Sequence, residues 1–168
     1  MRISKHIKVC IYKIMGSAPR KIYVSHGLPL PPETDSTGIS QSSIGMLKLY
    51  ANHLVDDGFS ITYRWWEDED ANSPSEKTST VVARRICDGI VESDILIVMI
   101  ESVSYAYPEA FAEVGMALAL RKPVIFLEIV KNKVIVNNSF YFMPGVIKVP
   151  TWGKMKVIVR DIFELKEY

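Results

Sequence analysis

Six consecutive apolar residues, Ile95–Ile100, constrain the fold more than any other feature of this sequence of 168 residues. They show no alternation of apolar and polar side chains, although a strand with one face in water would alternate. An unbroken run of this length is typical of a central parallel strand that is covered on both faces. It is far shorter than the roughly 20 apolar residues that cross a bilayer. The run therefore predicts a domain built around one buried parallel strand.

Shorter segments around this run alternate between strand and helix signals. Besides Ile95–Ile100, β-prone runs occupy residues 22–24, 59–66, 124–129 and 146–149, and residues 134–136 add a small strand or hairpin. Helical spacing of apolar residues indicates four helices, between Ser43 and Gly58, from Ser73 to about Glu92, from Pro108 to before Pro123, and over residues 155–165. Such alternation implies right-handed crossovers. We therefore predict a doubly wound α/β fold, a flavodoxin-like or Rossmann-like three-layer sandwich with a five-stranded, mostly parallel sheet in the order 2-1-3-4-5.

Composition narrows the class of partner. Twenty basic and nineteen acidic residues give a net charge of +1, so no global field attracts a nucleic acid polymer or an anionic membrane. An apolar content of 48% suffices for the core of one soluble domain. Cys10 and Cys87 lie far apart, without the spacing of a zinc site, which favours a reducing, cytoplasmic compartment and implies no metal. A small-molecule or protein partner fits this composition better than a polymer or a membrane.

The segments before and after the first strand differ in composition. Residues 1–22 carry six basic residues and no acidic one, which fits either a loose extension before the domain or a transit peptide. We place residues 1–20 outside the core as a basic extension and assign residues 21–168 to the domain. Residues 28–40 are rich in Pro, Gly, Ser and Thr, and a loop of this length is a candidate lid over a site.

The predicted strand order indicates where a binding crevice lies. The chain reverses direction between the first and third strands, so a crevice forms above their carboxyl ends. Residues 23–27 and 102–113 meet there. Tyr23, His26 and Gly27 then border the crevice from the first strand, and Glu113 reaches it from the third helix.

Glu113 is the candidate nucleophile. It lies about a turn and a half into a helix whose N-terminal end points at the crevice, and an ionised carboxylate there can attack the anomeric carbon of a sugar. The alternative is a solvent-facing helix glutamate. Glu109 lies four residues earlier on the same helical face, where two carboxylates in a partly dry pocket raise the pKa of one of them. Alternatively, Glu109 merely suits the dipole of the first helical turn.

Five segments carry a recognisable pattern in this order: residues 21–24 (KIYV), 93–98 (SDILIV), 105–107 (YAY), 113–118 (EVGMAL) and 122–125 (KPVI). Together they resemble the nucleoside 2-deoxyribosyltransferase family and related nucleotide N-hydrolases. The resemblance implies that Glu113 is the nucleophile, that the Tyr23 hydroxyl holds it, and that the reaction uses no metal or organic cofactor. Alternatively, Tyr23 is a strand aromatic that only packs in the core. The resemblance also implies a homodimer or larger homo-oligomer in which Asn138 and Met143 enter the neighbouring subunit's site.

The sequence also departs from that family. Pro108-Glu109-Ala110 replaces the family's glycine-rich turn, and a proline and a carboxylate cannot cradle a phosphate as free glycine N–H groups do. A nucleoside 5′-phosphate is therefore disfavoured. Ile86 occupies the position of a family aspartate, and Asp88, the nearest acidic residue, is the candidate catalytic substitute. Alternatively, the acid that orients the sugar is missing and the protein binds its ligand without turnover.

Aromatic and loop residues complete the predicted site. Trp65, at the end of the second strand, can stack on a flat base. Tyr107 belongs to the family-like YAY segment and is assigned, with His26 and Gly27, to the wall of the pocket.

Three functions fit these residues. The first is an N-glycosidic enzyme that transfers or hydrolyses the bond between a 2-deoxyribosyl group and a base of a nucleoside. The second is a catalytically silent module that binds a nucleoside or nucleotide. The third is a flavodoxin-like redox or signalling domain, which lacks its flavin-phosphate and phosphoacceptor patterns here.

Overall fold

The computed structural model describes residues 21–26, 41–68, 71, 75–100, 108–128 and 139–164. Within these ranges, five parallel strands form one sheet in the order β2-β1-β3-β4-β5. The strands are β1 (Lys21–His26), β2 (Ser60–Ile61), β3 (Ile95–Ile100), β4 (Val124–Glu128) and β5 (Val146–Val149). The helices are α1 (Gln41–Asp56), α2 (Glu76–Glu92), α3 (Pro108–Ala119) and α4 (Trp152–Glu164). The predicted doubly wound α/β fold and its strand order are confirmed.

β3 lies at the centre of the sheet, as its apolar sequence predicts. On one side it pairs with β1, where the first residue pair is Ile22 opposite Ile95, and on the other side with β4, where the first pair is Leu96 opposite Val124. All six of its residues are buried. Alternate side chains enter two separate apolar clusters, which explains why the run does not alternate in sequence.

Each face of the sheet is covered by a pair of helices. On one face, α1 and α4 pack on the sheet through Leu47, Ala51, Leu54, Met155, Ile158, Val159 and Ile162. On the other face, α2 and α3 contribute Ile90, Ala110, Phe111, Val114 and Ala117, joined by Tyr141 from the 3-10 turn Ser139–Phe142. The second cluster contains Tyr23, so it forms the floor of the candidate site.

The second strand is shorter than its sequence suggests. Residues 59–66 are β-prone, but only Ser60–Ile61 pair with β1, and a 3-10 turn follows at Trp65–Glu67. Trp66 is buried, and the indole N–H of Trp65 donates to the carbonyl oxygen of Val24 at 3.2 Å. These tertiary contacts turn the chain away from the sheet and override its β propensity.

Helix boundaries are mostly as predicted, with one wrong cap. α2 begins after Ser75 and not after Ser73, because Ser75 and Thr78 form a reciprocal capping box with bonds of 3.2 and 2.8 Å. Its end at Glu92 is confirmed. α1 begins at Gln41, slightly before the predicted start, and Gly58 follows it with the expected positive φ of 93°.

Some predicted features lie outside the described residues. They are the basic extension at residues 1–20, the candidate lid at residues 28–40 and the small strand at residues 134–136. Among the helices that the structure describes, none is both long enough and apolar enough to span a membrane.

Candidate functional site

Glu113 and Tyr23 meet between α3 and β1. The Tyr23 hydroxyl donates to Oε1 of Glu113 at 3.1 Å, although the two residues are 90 positions apart in sequence. Tyr23 is fully buried and Glu113 is partly buried. Pro108 opens α3, which places Glu113 about a turn and a half from the start of the helix. The predicted hydrogen bond is therefore confirmed, and Glu113 is not a solvent-facing residue.

The strand and two helices fix the orientation of the Tyr23 ring. Side chains alternate along β1, so Val24 enters the opposite cluster while Tyr23 and Ser25 face α3. Gly89 of α2 lies directly against the ring, since a Cβ added there would lie 3.0 Å from Cδ2 of Tyr23 and 2.9 Å from Cβ of Tyr63. α2 thus closes on the ring and leaves the hydroxyl directed at Glu113.

Burial dominates the electrostatics of the Glu113 carboxyl. It raises the pKa of Glu113 from 4.5 to about 7. The hydroxyls of Ser25 and Tyr23 lower the pKa, and the negative charge of Glu109 raises it further. Burial and the neighbouring Glu113 charge also raise the pKa of Tyr23 above its usual range. Tyr23 therefore stays a protonated hydrogen-bond donor, while Glu113 changes charge near neutral pH.

Two polar atoms beside this hydrogen bond are buried without a partner among the described residues. They are Oε2 of Glu113 and Oγ of Ser25. Ser25 is 1% exposed, and it was missed in the sequence analysis. Its position two residues after Tyr23 in a strand is the signal that could have placed it on the same face. Gly89 was missed as well, although a glycine inside a helix often marks a close contact.

Three other predicted site residues differ in their exposure and in the element that carries them. Glu109 is exposed on the first turn of α3. Trp65 is half-buried beside the end of β1, where its N–H is bound to Val24. His26 ends β1 opposite Met99 of β3, at the carboxyl edge of the sheet.

Asp88 and Met143 are both exposed side chains. Asp88 is exposed on α2 and is not among the groups that shift the pKa of either residue. Ile86 packs, partly buried, against the cluster that contains Tyr23. Met143 follows the 3-10 turn Ser139–Phe142 and is 42% exposed.

Gly27, Tyr107 and Asn138 lie outside the described residues. Within the part of the chain that the structure describes, no group of three His, Cys, Asp or Glu side chains is arranged to hold a metal ion.

Solved structures provide an independent comparison. The chain is similar to the 2-deoxyribosyltransferase from the psychrotolerant bacterium Bacillus psychrosaccharolyticus, with a TM-score of 0.59 at 18% identity over 81% of this chain and 90% of that one. The chain has the fold of this 2-deoxyribosyltransferase. The similarity to BlsM has a TM-score of 0.58 at 13% identity over 88% of this chain and 92% of that one. The CMP N-glycosidase BcmB of Clostridium botulinum gives a TM-score of 0.46 at 14% identity, over 84% and 97% of the two chains.

The shared fold extends over most of both chains in each of the first two comparisons. The first two similarities include nine tenths or more of each neighbour's chain, so they extend well beyond one strand-helix-strand unit. No protein-family model and no curated protein sequence matches the chain. The fold therefore agrees with the resemblance seen in the sequence, in a chain whose sequence has diverged widely.

Proposed function

We propose that this protein is an N-glycosidic enzyme that transfers or hydrolyses the bond between a 2-deoxyribosyl group and the base of a nucleoside. The observation that carries the proposal is the Tyr23–Glu113 hydrogen bond, which directs a partly buried carboxylate on the 2-deoxyribosyltransferase fold. A buried carboxylate with one oriented oxygen is suited to attack a carbon that bears positive charge in the transition state.

The reaction proceeds in two displacements at the anomeric carbon. An oxygen of ionised Glu113 forms a bond to that carbon while the bond from the carbon to the base nitrogen breaks. The electron pair of the broken bond leaves with the base, which takes up a proton. A second base or water then attacks the same carbon and loses a proton, and the Glu113 carboxylate is released. Acceptance of a base makes the protein a transferase, and acceptance of water makes it a hydrolase.

Each residue near Glu113 has a distinct part in this proposal. Tyr23 stabilises and aims the carboxylate, and its raised pKa keeps its proton in place. Glu109 lies on the first turn of α3 and is proposed to contact the substrate. Its exposed carboxylate also repels a substrate phosphate, so we infer that nucleosides are preferred to their 5′-phosphates. Trp65 is the candidate surface for the base, and Asp88 is the candidate group that orients the sugar.

Three further residues are assigned to the wall of the pocket from the sequence alone. His26, Gly27 and Tyr107 are proposed to contact the substrate. We also propose a cytoplasmic homodimer in which Asn138 and Met143 complete the neighbour's site. The exposed Phe142 and Met143, 67% and 42% accessible, fit a surface that a second subunit covers.

One incubation tests the reaction. The protein is mixed with deoxynucleosides and a second free base, and both the new nucleoside and the released base are followed. Exchange identifies a transferase, and release without exchange identifies a hydrolase. Glu113→Gln should lower turnover by orders of magnitude, whereas Glu92→Gln, which changes an exposed glutamate at the end of α2, should leave it unchanged. Wild-type turnover by Glu113→Gln would disprove the mechanism.

A second candidate function rests on Ile86. In this chain an apolar side chain packs against the Tyr23 cluster where the family carries an aspartate, and Asp88 is exposed nearby. A protein without a sugar-orienting acid can bind a nucleoside without turning it over. Calorimetric titration with a deoxynucleoside distinguishes this function, because binding without exchange or release favours a silent binding module.

A further inference from the structure

Ser25 presents a buried hydroxyl that the proposed reaction does not yet use. Its side chain is 1% exposed, and its hydroxyl has no hydrogen-bond partner among the described residues. The residue opposite it on β3 is the buried Val98. A buried hydroxyl without a partner costs about 1 to 3 kcal/mol, so such a group is rarely left unpaired in a native protein.

The second carboxylate oxygen of Glu113, on the same face of the sheet as Ser25, also lacks a hydrogen-bond partner among the described residues. Oε1 accepts from Tyr23, whereas Oε2 is buried and has no partner among the described residues. Tyr141, the other tyrosine buried in this cluster, already donates to Glu128. Among the described polar groups on this face of the sheet, the Ser25 hydroxyl is therefore an unpaired donor and Oε2 of Glu113 an unpaired acceptor.

We propose that Ser25 is a positioning residue whose hydroxyl donates to Oε2 of Glu113 when the carboxylate is ionised. Two hydroxyls from alternate residues of β1 then hold the two oxygens of one carboxylate, with Tyr23 on Oε1 and Ser25 on Oε2. A rotation of the Ser25 side chain about its Cα–Cβ bond makes the contact, because its Cβ already faces α3. The positioning role rests on the proposed function, but the contact itself does not.

The charged and titratable groups around Glu113 agree with this arrangement. Ser25 lowers the pKa of Glu113 more than Tyr23 does, and Glu109 on the same helix raises it. Tyr63 and Cys87 act on Tyr23 and not directly on Glu113. Loss of the Ser25 hydroxyl should therefore raise the pKa of Glu113 above about 7.

Carbon-13 NMR titration of the glutamate side-chain carboxyls tests the contact in the intact protein. The Glu113 signal is assigned by its loss in Glu113→Gln. In Ser25→Ala we expect the pKa of Glu113 to rise by about 1 unit, the value of one hydrogen bond to a charged group. Ser25→Cys fills nearly the same space with a weaker donor and should give an intermediate shift. It also serves if Ser25→Ala does not fold.

Ser93→Ala is the matched control. Ser93 is 2% exposed, and its hydroxyl donates to the carbonyl oxygen of Ile90, away from Glu113. This variant should lose stability without moving the titration of Glu113. An unchanged Glu113 pKa in both Ser25 variants, or an equal shift in Ser93→Ala, would overturn the inference. If the pKa shifts as expected in a protein without glycosidic activity, the contact stands and the proposed function fails.

Discussion

Replacing Glu113 with glutamine should stabilise the protein at neutral and alkaline pH. Burial raises the pKa of Glu113 from 4.5 to about 7, a difference of about 2.5 units. Each unit corresponds to 1.36 kcal/mol, so the ionised carboxylate costs the folded state up to about 3 kcal/mol. This is a large share of the roughly 5 to 15 kcal/mol by which small domains are stable. A cost of this kind is typical of a side chain kept for reactivity.

The sign of the pH dependence follows from the raised pKa. Below pH 4.5 the carboxyl is protonated in both the folded and the unfolded protein, and its contribution to stability is fully present. That contribution is lost as the pH rises through about 7, because the unfolded chain ionises first. Glutamine is neutral throughout, so Glu113→Gln should gain stability relative to wild type across this interval and keep a constant advantage above it.

Urea unfolding followed by tryptophan fluorescence measures this difference. Wild type, Glu113→Gln and the exposed control Glu92→Gln are compared between about pH 4 and pH 8.5, in steps that cover the titration. Any altered packing or hydrogen bonding adds an offset that does not vary with pH, so the relevant quantity is the change in the gap. Parallel stability curves for wild type and Glu113→Gln would refute the reasoning, as would an equal widening for Glu92→Gln.

Two further predictions concern the groups around Glu113. Tyr23→Phe removes a hydrogen-bond donor to the carboxylate, so the pKa of Glu113 should rise. The pH–rate profile, or the carboxyl titration, should then move to higher pH. An unmoved profile would show that the hydrogen bond has no electrostatic effect. Gly89→Ala should lower the free energy of unfolding by about 1 to 3 kcal/mol, since its Cβ would press on Tyr63 and Tyr23. Gly45 lies in open space on α1, so Gly45→Ala should instead raise the free energy of unfolding by up to about 1 kcal/mol. Equal stability of the two variants in chemical denaturation would contradict the close contact of Gly89 with the two tyrosines.

Local sequence signals were sufficient for the framework of the fold. The unbroken apolar run of β3 predicted its central position because a strand covered on both faces must be apolar on both. Gly58 and Pro108 marked the end of α1 and the start of α3, since their backbone preferences act within a few residues. The strand order is the simplest one for alternating strands and helices that are joined by right-handed crossovers.

The tertiary structure decided the features that depend on distant residues. Trp65 left the predicted second strand because its N–H found a carbonyl 41 positions away. The family resemblance in the sequence indicated that Tyr23 would reach Glu113, but only packing determines that one carboxylate oxygen is bound while the other is buried without a partner among the described residues. The pKa of Glu113 likewise depends on burial, which is set by the sheet and helices together. A sequence specifies which groups are present, whereas their desolvation and mutual distances exist only once the chain has folded.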